Sequence, residues 1–108
     1  MKNKDALYKQ HILDAIMRIK KYTTLASYDE FISNEMMYSA VIRELEIIGE
    51  AAKQMSEEGR VHIKGIPWPS IISTRNRLIH EYFGVDLETV WHTVQYDLDV
   101  LEQKINQS

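Results

Sequence analysis

The sequence predicts an all-α protein, an up-and-down bundle of four main helices plus a short helical turn. Three observations lead there. Apolar residues recur at spacings of three and four along most of the chain, and no stretch alternates as a strand would. Four glycines and two prolines punctuate 108 residues, fewer than the frequent turns of an all-β domain need. Capping residues stand where the periodic stretches begin.

The first helix is read over 5–22, with Tyr8, Ile12, Ala15, Ile19 and Tyr22 on one face and lysines on its flanks. Ser27-Tyr28-Asp29-Glu30 spells a capping box that opens a short turn to Ser33. Asn34 then caps a long helix expected from Glu35 to about Glu58, whose stripe is Met37, Val41, Leu45, Ile48, Ala52 and Met55. Gly59 is expected at its C-cap, and 60–67 at a loop. A third helix begins near Pro69, since the first turn tolerates proline, and runs through Ile71, Ile72, Arg75, Ile79 and Tyr82 to Gly84. Asp86 caps the fourth, with Leu87, Val90, Trp91, Val94, Leu98, Leu101 and Ile105 on its face.

Length and composition narrow the classes. A chain of 108 residues is read as one domain, 1–108, able to bury a core without staples. Cysteine is absent, which excludes a disulfide scaffold, a thiol nucleophile and any Cys-ligated metal. No apolar run exceeds three residues, so a membrane span is excluded and a cytoplasmic protein is expected. The net charge of −3 conceals alternation: 1–22 carries +4, 23–60 carries −5, 61–83 carries +2 and 84–108 carries −4. Indiscriminate binding to nucleic acid needs a strongly basic face, which this is not; a local phosphate site built from a few arginines is compatible.

One segment departs from the pattern. Arg75 falls among Ile71, Ile72, Leu78 and Ile79, on the apolar stripe of its helix, with Tyr82 two turns on. A guanidinium cannot lose its charge, so it needs partners or a wet recess there. Glu44, Glu46 and Glu50 of the second helix are structural candidates. Asn76 and His80, four apart, are neighbours at the stripe's edge. One helix edge thus offers a cation, a carboxamide, an imidazole and a phenol. His moves protons near neutral pH and a fixed cation stabilises charge developing on a phosphorane, so the set suits phosphodiester cleavage. The histidines His11, His62, His80 and His92 lack metal-ligand spacing, and no cofactor is called for. Arg43, Glu46 and Glu50 read as structural ion pairing.

Arg75-Asn76-Arg77-Leu78-Ile79-His80, extended by Glu81-Tyr82, has the form R-N-x-x-x-H-x-Y. With Val41 to Ala51, Pro67-Trp68, Phe83-Gly84-Val85-Asp86 and Val90-Trp91 in order, the chain resembles the HepT-like branch of the HEPN superfamily over most of 5–105. Members of that branch are ribonuclease toxins paired with minimal nucleotidyltransferase antitoxins. Glu81 departs from the glycine many relatives have there.

The resemblance implies a metal-independent endoribonuclease acting at a cleft of a homodimer, in which the RNA 2′-hydroxyl attacks its own phosphate. By that resemblance His80 is the general acid or base, Arg75 holds the scissile phosphate and Asn76 orients either; Arg77, on the opposite side of the helix turn, is better suited to the surface and is the lesser candidate, for RNA contact. It also implies that the partner nucleotidyltransferase transfers AMP to Tyr82, filling the cleft and silencing the toxin, with a larger hetero-oligomer as a further option. The alternative is a non-catalytic HEPN adaptor or nucleotide-binding module, against which the complete Arg75, His80 and Tyr82 set argues.

Overall fold

The structure, a computed structural model, describes residues 2–73 and 86–108. Helix α1 spans Lys2–Tyr22, α2 Tyr28–Ser33, α3 Glu35–Gln54 and α4 Glu57–His62. Residues 68–73 are helical and are designated α5. After Asp86 the chain is helical to Asn106, as α6 (Leu87–His92), a π-helical stretch (Thr93–Asp97) and α7 (Leu98–Asn106). No strand occurs among the described residues, and the all-α bundle is as expected.

Helix α1 lies at the centre. Its Ile12, Ala15, Ile16 and Ile19 are wholly buried, and they share one apolar cluster with Val41, Leu45, Ile48 and Ala52 of α3 and Leu98, Leu101 and Ile105 of α7. Both neighbours run antiparallel to it. Asp5 meets Ser56 just after α3 while Arg18 meets Glu44 within it; Lys20 meets Glu102 while Lys9 reaches Ser108. Helix α2 closes one end, where Phe31 packs against Trp91 at 5.1 Å and Tyr38 at 6.4 Å between ring centroids. Its start is the expected capping box, with the Glu30 amide donating to the Ser27 hydroxyl and the Ser27 amide to the Glu30 carboxylate. Leu25, just before it, sits at φ 65° and is 96% exposed, a left-handed conformation that residues other than Gly, Asn and Asp rarely adopt.

The end of α3 differs from expectation. It stops at Gln54, four residues short of Glu58, and Gly59 is inside a separate short helix. Ser56 caps that helix: its Oγ accepts from the Gly59 amide at 2.9 Å, while its own amide and hydroxyl donate to Asp5 at 2.8 and 2.5 Å. The orphan carbonyls at the end of α3 are met by a side chain instead of a left-handed glycine. Arg60 Nη1 donates to the carbonyls of Ala52 at 3.0 Å and Met55 at 2.6 Å. Glycine stands at 59 for want of room, since a Cβ there would overlap the Asp5 carboxylate. The expected loop 60–67 is accordingly helical up to His62.

Candidate functional site

The sequence-predicted site runs from Arg75 to Tyr82, and Arg75, Asn76, Arg77, His80 and Tyr82 all lie outside the described residues. The structure describes its frame on both sides. Upstream, Trp68 is buried and its indole N–H donates to the Arg60 carbonyl at 2.8 Å, tying the start of α5 to the residue that caps α3. The Ile71 amide donates to the Pro67 carbonyl at 3.1 Å, so Pro69 sits in the first turn, where its missing N–H costs nothing. An open groove lined by Arg60, Val61, Trp68, Pro69, Ile72 and Ser73 runs beside this turn. Downstream, Asp86 caps α6 as expected, accepting from the Glu88 amide at 3.0 Å and the Thr89 hydroxyl at 2.9 Å. The Thr89 hydroxyl, with backbone amides behind it, holds the Asp86 carboxyl below its ordinary value.

On α3 the three carboxylates that sequence reasoning offered to Arg75 have distinct settings. Glu44 is buried; its Oε1 accepts from Arg18 Nε at 2.9 Å and its Oε2 from the Tyr22 hydroxyl at 3.4 Å. Glu46 pairs with Arg43 at 3.4 Å, the structural pairing expected for that edge. Glu50 accepts from Gln54 at 3.2 Å. The Arg18–Glu44–Tyr22 cluster escaped sequence reading because its members are 22 and 26 residues apart. Only the +4 charge of residues 1–22 beside a −5 segment hinted at it.

Histidines outside the motif are dispersed. His11 is on α1, His62 ends α4 and His92 ends α6. No group of three or more His, Asp or Glu side chains clusters as a metal site among the described residues. No helix among them is long and apolar enough to cross a membrane.

A family model described as "Ribonuclease HepT-like" matches residues 12–108. The chain belongs to the HepT-like family. The HepT-like chain is 38% identical over 104 residues to "Probable ribonuclease HepT" of Thermococcus cleftensis, covering 96% of this chain and 94% of that relative. It is 37% identical over 94 residues to "Putative RNase MJ1380" of Methanocaldococcus jannaschii, covering 87% and 86%. A third relative, "Gamma-glutamylcyclotransferase and putative RNase MJ0434" of the same organism, is 40% identical over 99 residues, 92% of this chain. This HepT-like chain spans 45% of the length of that one. No solved structure matches it.

Proposed function

We propose that this HepT-like protein is an endoribonuclease that needs no metal and works as the toxin of a pair, its site formed by Arg75, Asn76 and His80. The observation that carries the reading is the family match across residues 12–108, within which Arg75 to Tyr82 supplies the R-x4-H-x-Y residues. In the step proposed, a new bond forms between the RNA 2′-oxygen and phosphorus as the bond to the 5′-oxygen breaks. The products are a 2′,3′-cyclic phosphate and a free 5′-hydroxyl. One imidazole takes the 2′-hydroxyl proton and another supplies a proton to the leaving oxygen, each role worth about 10²–10⁴-fold. One chain carries a single His80, so a homodimer with two motifs face to face provides both. Arg75 neutralises charge that builds on the phosphorane, Asn76 orients His80 or the phosphate, and Arg77 is a candidate contact to the RNA backbone. AMP transferred to Tyr82 by a nucleotidyltransferase adds a charge and a bulky base where substrate phosphate must sit.

The test is cleavage of total RNA by the purified protein in excess chelator, followed with His80→Ala and Arg75→Ala. Loss of cleavage in both variants, with helical content and dimer mass unchanged, is expected. Cleavage by His80→Ala equal to the wild type overturns the acid–base assignment. Incubation with ATP and the partner nucleotidyltransferase should add mass in whole units of AMP, and Tyr82→Phe should take up none at that site.

A further inference from the structure

Exposed apolar side chains are concentrated where α1 turns into α2 and α2 into α3. Tyr22, Leu25, Tyr28, Ile32 and Met36 recur every three or four residues, and all are exposed, Leu25 at 96% and Met36 at 84%. Apolar surface left in water at this density marks a contact with another molecule.

Leu25 carries the strongest indication. In the turn after α1 it takes φ 65°, a conformation that suits glycine and strains a residue with a Cβ. Burial offsets none of that strain, because the side chain stands almost wholly in water. The turn itself is closed by its neighbours. The Ala26 amide donates to the Thr23 carbonyl at 3.0 Å, and the Thr23 and Thr24 hydroxyls donate to the carbonyls of Ile19 and Lys20. Closing the turn therefore makes no demand for a leucine side chain at this position.

The charge around these residues has one prevailing sign. Between Lys21 and Arg43 the chain carries Asp29, Glu30 and Glu35 and no lysine or arginine. All three acids are exposed. From α6, the exposed Glu88 adds to them, one turn before Trp91, on which Tyr28 packs at 6.2 Å between ring centroids. Lys20 is taken up by Asp99 and Glu102, and Lys21 stands at the edge. Such a rim repels phosphate, whether of a nucleic acid or of an anionic membrane, and attracts a cationic polypeptide. Apolar residues set among acids are complementary to a helix whose apolar stripe runs between lysines and arginines.

We propose that residues 22–36 are a docking surface for a basic amphipathic helix of a partner protein. Leu25 enters the apolar stripe of that helix, and Asp29, Glu30 and Glu35 face its cations. The inference is independent of the ribonuclease reading.

The experiment is display selection of random peptides of about four helical turns on the full chain, with counter-selection on Leu25→Gly. The selected peptide is then synthesised and titrated by fluorescence anisotropy. Glycine suits the left-handed conformation, so Leu25→Gly should melt no lower than the wild type, and its loss of binding then has no origin in misfolding. Leu25→Asn, also tolerant of that conformation, serves as a second such variant. The selected peptides should place lysines and arginines beside apolar residues three and four apart. They should bind the wild type at least about tenfold more tightly than Leu25→Gly, the loss expected of a central anchor. Glu35→Gln should weaken binding and reduce its dependence on salt, and Met36→Gln should weaken it by a smaller factor than Leu25→Gly.

Peptides that are acidic or lack the spacing overturn the proposal, as does equal binding to the wild type and Leu25→Gly, or a selection that yields no discriminating peptide. A dimer in sedimentation that Leu25→Gly dissolves would give the surface to a second copy of this chain and overturn it too. Binding of the wild type, and not of Leu25→Gly, to vesicles of anionic phospholipid would give it to a membrane, with the same result.

Discussion

Along α3, helix α1 is joined through carboxylates withdrawn from water: Asp5, 8% exposed, receives two hydrogen bonds from Ser56, and Glu44 is buried while its partner Arg18 is 42% exposed. Along α7 the same helix is joined by Lys20, which bridges Asp99 at 2.6 Å and Glu102 at 2.8 Å with its side chain 40% exposed. Both seams also bury apolar residues, so the difference lies in what the polar groups add. A hydrogen-bonded carboxylate out of water is costly to orphan, whereas an exposed ion pair competes with solvent and salt and contributes little. The α3 seam is therefore specified by its polar groups, and the α7 seam mainly by Leu98, Leu101 and Ile105.

Substitutions can break that contrast. The largest effect is expected for Gly59→Ala, which should cost about 1–3 kcal/mol in urea unfolding because its Cβ meets the Asp5 carboxylate. Helix propensity alone predicts the opposite sign, a gain of about 1 kcal/mol. With Asp5→Ala already present the overlap is gone, so Gly59→Ala should then be neutral or stabilising. Acid sharpens the same point. The Ser56 hydroxyl and then the Ser56 amide hold the Asp5 carboxyl below its ordinary value. Its contribution is thus present above the unfolded value of about 3.9 and is lost as pH falls through the lower folded value. Asp5→Asn should flatten the acid limb of the stability curve below about pH 4.

Arg18→Ala comes next, at about 1–2 kcal/mol, since it leaves the Glu44 carboxylate with the long Tyr22 contact. Arg18→Lys should recover only part of the loss, a point charge being a poor match for the Nε contact. A cost under about 0.3 kcal/mol would erase the distinction between the seams. The smallest effect is expected for Lys20→Gln, below about 0.5 kcal/mol and abolished in 1 M salt. Asp99, then Glu102, raise the Lys20 ammonium above its ordinary value. That small contribution is present below the unfolded value of about 10.4 and is lost as pH rises through the higher folded one.

The elements most legible in the sequence are those set by neighbours in the chain. The capping box at Ser27, the caps at Asn34 and Asp86, and the stripes of α1, α3 and α6–α7 all rest on spacings within one or two turns. The break after Gln54 was not legible, because it depends on Asp5 receiving Ser56 from 51 residues away and on Arg60 turning back to the end of α3. Ile16 and Ile42, buried but outside the stripes read from sequence, show that a helix wedged between two neighbours hides more than one face. The Arg75-to-Tyr82 motif was legible as chemistry from residue types alone, and its place in the fold falls outside the described residues.

The π-helical stretch gives α6–α7 an unequal tolerance of change in length and in side chain. Within Thr93–Asp97 the Leu98 amide donates to the Thr93 carbonyl, five residues back, so this turn holds one residue more than an α-helix would. The surplus sets the phase between Val90 on one side and Leu98, Leu101 and Ile105 on the other. Exchanging the exposed Gln95 for another side chain leaves that phase untouched. Deleting it would turn one half of the rod by about 100° against the other, aiming either the α7 apolar residues or Val90 at solvent. In a gene that drifts, this stretch is therefore expected to accept new letters at its exposed positions, though not at the buried Val94, and to reject gaps.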